Sequence, residues 1–127
     1  MAEQLVRRAV EGFMARDLEA ILAVADPGIE LRSLLTEAER PTYHGHEGVR
    51  DWFHAVFGVF PDWRPQPRAA SYDEKGAVVV ALDVTATGAE SGAPVDQTYW
   101  LGARVQADKI IFFGFFRTES DALDAVT

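Results

Sequence analysis

The sequence predicts an α+β domain in which an N-terminal group of helices packs on one face of an antiparallel β-sheet. Apolar residues recur at spacings of three and four over two stretches of the first 60 residues, the period of helices with one buried stripe. Three long β-branched and aromatic runs fill most of the second half. The turns between them are short and polar, which suits an antiparallel meander better than crossover connections.

Each element has its own signal. Leu5, Val6, Ala9, Val10, Phe13 and Met14 form the stripe of a first helix. Asp17 offers a cap for a second, "LEAILAVA", which stops at Asp26, Pro27 and Gly28 because the residue before a proline is steered away from helical geometry. Ile29 to Leu35 reads as a short strand and "TEAERP" as a loop. A third helix starts near Gly45 and His46, with Glu47 against its positive end. Its stripe is Val49, Trp52, Phe53, Val56, Phe57 and Phe60, with Arg50, Asp51 and His54 opposite, and Pro61 ends it. "PDWRPQPR" holds too many prolines for a central strand before Ala69. "DEKG" leads into the strand "GAVVVALDVTATG", "AESG" into "APVDQTYWLGARVQ" and "AD" into "KIIFFGFFRT". A short helix, "ESDALDAV", closes the chain, with Thr118 capping it through the amide of Asp121.

Composition bounds the function. The 127 residues suit one domain, 1–127, burying about two thirds of the surface its unfolded chain would expose. With 20 acidic residues against 12 basic ones, the charge of -8 disfavours nucleic acid and anionic membrane surfaces as partners. There is no cysteine, hence no disulfide and no thiolate chemistry. The charged start lacks the apolar centre of a signal peptide, and a cytoplasmic protein is the expectation.

The order of elements, with "YHGHEGVRDWFHAVFGVFPDW", "VVVALDVTATG" and "DKIIFFGFFRTESDALDAV", resembles the SnoaL-like branch of the nuclear transport factor 2-like superfamily, which holds polyketide cyclase-like and ketosteroid isomerase-like proteins. The resemblance spans essentially the whole chain. It implies a cone: a curved sheet wrapped around the helices, with an apolar pocket at the open end. It also implies a small-molecule-binding protein, either a cyclase- or isomerase-like enzyme using acid/base chemistry or a non-catalytic binding or dimerisation module. Fold alone does not decide between them.

Candidate residues follow from resemblance and from strand parity. His44 and His46 lack a third local ligand, so neither a metal nor any other cofactor is expected. By resemblance the chain passes the pocket rim at His44, which makes it an acid/base candidate. In the strand from Val95 the odd residues, Gln97, Tyr99, Leu101, Ala103 and Val105 among them, face inward; Gln97 and Tyr99 then contact ligand, and Tyr99 is the other catalytic candidate. Val78, Val80, Leu82 and Val84 form the core set of the preceding strand, which turns Asp83 outward. Resemblance assigns Tyr43 and Trp63 to the pocket wall. Phe113, from the run Phe112 to Phe116, joins them, and Arg117 at the cone mouth is placed to hold an anionic or carbonyl group. The usual catalytic acids are missing: Ser33 or Leu34 and Thr118 stand where relatives carry them, which leaves catalysis undecided. The expected ligand is a small apolar or aromatic molecule. A homodimer is expected through the outer sheet face, because "IIFFGFF" is apolar on both parities and the helices are expected to cover only the inner face.

Overall fold

The computed structural model describes residues 2–33, 42–87 and 94–127. Its elements are α1 (Ala2–Met14), α2 (Leu18–Val24), β1 (Ala25–Ser33), β2 (Thr42–His44), α3 (Gly45–Val59), β3 (Arg64–Glu74), β4 (Ala77–Thr87), β5 (Pro94–Gln106), β6 (Lys109–Phe116) and α4 (Glu119–Val126). The six strands form one sheet in the order β2-β1-β6-β5-β4-β3. The expected α+β architecture is present. The expected "TEAERP" loop, the "AESG" turn and the strand residues Leu34 and Leu35 lie outside the described residues, as does the side chain of Val95.

Two features differ from the sequence reading. The sheet is mixed: β3 through β6 run antiparallel in sequence, but β1 pairs with β6 in parallel, Leu31 opposite Phe113 and Ser33 opposite Phe115. The proline-rich stretch is itself a strand, β3, beginning at Arg64. It is an edge strand paired only with β4, so the missing donors of Pro65 and Pro67 cost few ladder bonds.

The helical hairpin forms as its signals require. The Asp17 carboxylate accepts the Ala20 amide at 3.1 Å and starts α2. β2 leads straight into α3, and Gly45 makes the turn with φ +70, a geometry that strains residues bearing a Cβ. One turn later Gly48 admits Tyr43, since a Cβ there would lie 3.1 Å from the Tyr43 Cβ. The "TYHGHEG" run is thus a strand-to-helix corner. His46 ties that corner to β1 through its ring Nε2, 2.8 Å from the Ala25 carbonyl.

Two apolar layers result. The larger fills the concave side with Val6, Val10 and Phe13 from α1, Val49, Trp52 and Val56 from α3, and the inward residues of the sheet. The smaller lies on the convex side, where α4 sets Ala122 and Val126 against Ala77 and Val79. The helices therefore do not keep to the inner face. Gly102 makes room for α4: a Cβ there would stand 3.1 Å from Val126 Cγ1 and 3.2 Å from the Ala122 carbonyl oxygen. Arg104 secures the far end by donating to the Val126 carbonyl.

Candidate ligand site

The interior near the ends of β1 and β6 is a cluster of aromatic rings. Phe13 from α1 meets Trp52 from α3 edge-on at 5.1 Å and Phe113 at 5.5 Å. Trp52 stacks on Phe115 at 5.4 Å with an angle of 14°, and Trp63 closes the group, 5.8 Å from both Trp52 and Phe115. Each ring is at most 2% exposed. The sequence explains the convergence. The i, i+3 spacing of α3 turns Val49 and Trp52 inward, the alternation of β6 does the same for Phe113 and Phe115, and the Pro61 turn returns Trp63 to the core.

Such pairs add about 0.5–1.5 kcal/mol each beyond the area they bury. Among the described residues these rings pack directly against one another. Among the described residues, an enclosed space beside them, lined by Ala9, Phe13, Ile21, Ala25, Ile29, Leu31, Val49, Ile110 and Phe113, has a volume of about 10 Å³. That is the room of one water, and the apolar lining gives water no partner. A roomier depression lies outside, about 470 Å³ along the surface of α1 and α2, bordered by Arg8, Glu11, Asp17 and small residues.

The polar groups of the interior are few. Ser33, at the end of β1 and 1% exposed, is the polar residue buried beside Phe115, and among the described residues no carboxylate is buried. The indole N–H groups of Trp52 and Trp63 are buried without a hydrogen-bond partner. Acids sit elsewhere: Asp83 on the convex face accepts from Arg68 Nη2 at 2.7 Å, from Arg68 Nε at 2.8 Å and from the Thr98 hydroxyl at 3.0 Å. These bonds, Arg68's first and Thr98's second, hold its carboxyl below the ordinary value of 3.8. Asp62, in the turn before Trp63, accepts the Thr87 amide at 2.7 Å, which lowers its carboxyl in the same sense.

The residues expected at the site separate into two groups. Tyr43, Trp63, Tyr99 and Phe113 are buried in the concave core, and Tyr43, opposite Leu31, stands two strands from Phe113. His44, Gln97 and Arg117 are exposed. His44 follows Tyr43 in the same strand and so points to the opposite face. Gln97 keeps the inward parity of Tyr99, yet the β6 ladder stops opposite Trp100 and leaves it uncovered. Arg117 projects just beyond β6. Among the described residues no group of three His, Cys, Asp or Glu is gathered to hold a metal.

The model of the SnoaL-like domain family matches residues 6–113. The chain belongs to the SnoaL-like family. Among curated proteins none matches this SnoaL-like chain. Solved structures resemble it over nearly its full length. TerC, crystallised with polyporic acid, is 19% identical with a TM-score of 0.81, covering 98% of this chain and 96% of that one. A protein of unknown function with the nuclear transport factor 2-like fold, from Burkholderia pseudomallei, is 20% identical with a TM-score of 0.82 and coverage of 99% and 97%. IdmH of Streptomyces antibioticus, a candidate polyketide cyclase, is 16% identical with a TM-score of 0.78 and coverage of 98% and 96%. At these identities the likeness speaks for the fold alone. What residue patterns missed in this SnoaL-like protein is the pair of unpartnered indoles. Periodicity marks Trp52 as buried but says nothing of where its N–H goes.

Proposed function

We propose that this SnoaL-like protein binds a small, flat, apolar or aromatic molecule at the aromatic end of its cone. The observation that carries the reading is the cluster of Phe13, Trp52, Trp63, Phe113 and Phe115, which offers ring faces and edges on several sides of one place. Binding displaces rings rather than filling a void, and the Pro61 turn that carries Trp63 is the part with exposed neighbours, Pro61, Asp62 and Arg64. Apolar burial at about 25 cal/mol per Å² favours a ring system, and the cost of displacing buried rings offsets part of that gain. The crystallisation of one structural neighbour with polyporic acid and of another with trimethylamine supports a small-molecule ligand. Of the expected polar anchors, Tyr99 is the buried one, and His44, Gln97 and Arg117 would have to act from the exposed rim.

A second reading, a binding or dimerisation module without catalysis, is favoured by one observation: among the described residues no carboxylate is buried in the interior to act as general base. Assembly as a homodimer through the outer sheet face is kept as a proposal on narrower ground, because α4 already covers Ala77 and Val79. A second copy would cover the half-buried rims of Trp100, Phe112 and Phe116. A thermal-shift screen of hydroxylated polycyclic aromatics, steroids and small polar acids tests the ligand class, since a ligand of the folded state raises the melting point by mass action. Shifts from ring systems, lost in Trp63→Ala and Tyr99→Ala, are expected. Shifts from the polar acids alone overturn the reading. Incubation of the binding compounds then separates enzyme from module by product formation.

A further inference from the structure

The ring cluster carries two hydrogen-bond donors that its packing does not need. The indole N–H groups of Trp52 and Trp63 are fully buried and unpartnered. A buried donor without an acceptor costs about 1–3 kcal/mol, and the great majority of such groups in folded proteins are paired. Packing alone gives no reason for that cost. At positions 13, 113 and 115 the same cluster is built from phenylalanine, which supplies a ring and no N–H. The third tryptophan, Trp100, is half-buried on the convex side under α4 and takes no part.

The two indoles also belong to one cluster. The indole rings meet edge to face at 5.8 Å and 87°, and both contact Phe115, Trp52 by stacking on it. The adjoining cavity of about 10 Å³ is lined by apolar residues and brings no acceptor to them. Trp63 follows the exposed residues Pro61 and Asp62. Its turn is held to the end of α1 by Arg16, which donates to the Pro61 carbonyl at 2.9 Å and lies over the Phe57 ring at 4.1 Å.

We propose that Trp52 and Trp63 are specificity-determining residues whose indole N–H groups donate to carbonyl or hydroxyl oxygens on the ligand's ring, so that the ligand class is an oxygenated ring system rather than a bare hydrocarbon. The assignment rests on the ring-binding reading above and narrows it. A site that leaves donors unpaired around the wrong ligand discriminates more sharply than an apolar wall, which separates molecules by shape alone.

The test is a titration of the ¹⁵N-labelled protein with 2-hydroxy-1,4-naphthoquinone and, separately, naphthalene, following the three indole N–H signals. The quinone is expected to move the Trp52 and Trp63 signals downfield while leaving Trp100 in place, and to bind about tenfold or more tighter than naphthalene. Trp52→Phe and Trp63→Phe should each lose about tenfold of quinone affinity and little for naphthalene; the wild-type signals decide the matter should either variant fold poorly. Equal affinity for the two compounds, with the indole signals moving alike, overturns the donor role and leaves ring binding standing. Failure of both compounds to perturb Trp52 and Trp63 overturns both.

Discussion

The Thr118 hydroxyl accepts the Asp121 amide at 3.1 Å, and that one bond sets where α4 begins. Losing such a cap costs about 1 kcal/mol, so Thr118→Ala is expected to lower the melting temperature by about 3–6 °C and to leave ligand affinity unchanged; a tenfold loss of binding without a change in melting would show a ligand role instead. Asp83 gives a pH dependence. Its folded carboxyl lies below 3.8, so its contribution is present above that value and is lost as pH falls through the lower folded one. Asp83→Asn should therefore flatten the acid limb of stability in urea unfolding, weakly, because the side chains of the Arg68 pair are 58% and 44% exposed and salt screens them. An unchanged acid limb contradicts this. The cap was readable from "TESD" because capping is local. The outward turn of Asp83 was readable from parity. The exposure of Gln97 was not, since parity names a face and not how far the neighbouring strand reaches.

At the scale of elements, α4 is the piece whose placement was least visible. Its boundaries follow from its cap and its apolar residues, but no local pattern states which face of a sheet a helix will cover. The signal was there in small residues: Ala77 and Gly102 on the convex face leave the depth that Ala122 and Val126 fill. A chain ending at Thr118 is expected to expose that layer, to bind a hydrophobic dye and to associate in gel filtration; a monomer as stable as the full chain would show that α4 is not needed there. β3 was passed over for a related reason. Its prolines exclude a central position and are harmless at an edge, and which strand is the edge is a property of the whole sheet.

For the whole molecule, the sheet order and the inward alternation of β4, β5 and β6 were largely implied by the meander, whereas the parallel pairing of β1 with β6 joins segments some 80 residues apart and leaves no trace in either. The dimer proposal belongs at this scale. Trp100→Glu places a charge among Trp100, Phe112 and Phe116 and should turn dimers into monomers in sedimentation, while a wild-type monomer at micromolar concentration rules the dimer out. The central claim, that the filled aromatic end of the cone opens for a ring ligand, is met most directly by a crystal structure of the protein with the ring compound that most raises its melting point. The expected result is the ring seated among Trp52, Trp63 and Phe115, with the Pro61 turn displaced and the indole N–H groups facing ligand oxygens. A ring lying instead in the open groove along α1 and α2, over an unchanged cluster, would contradict it.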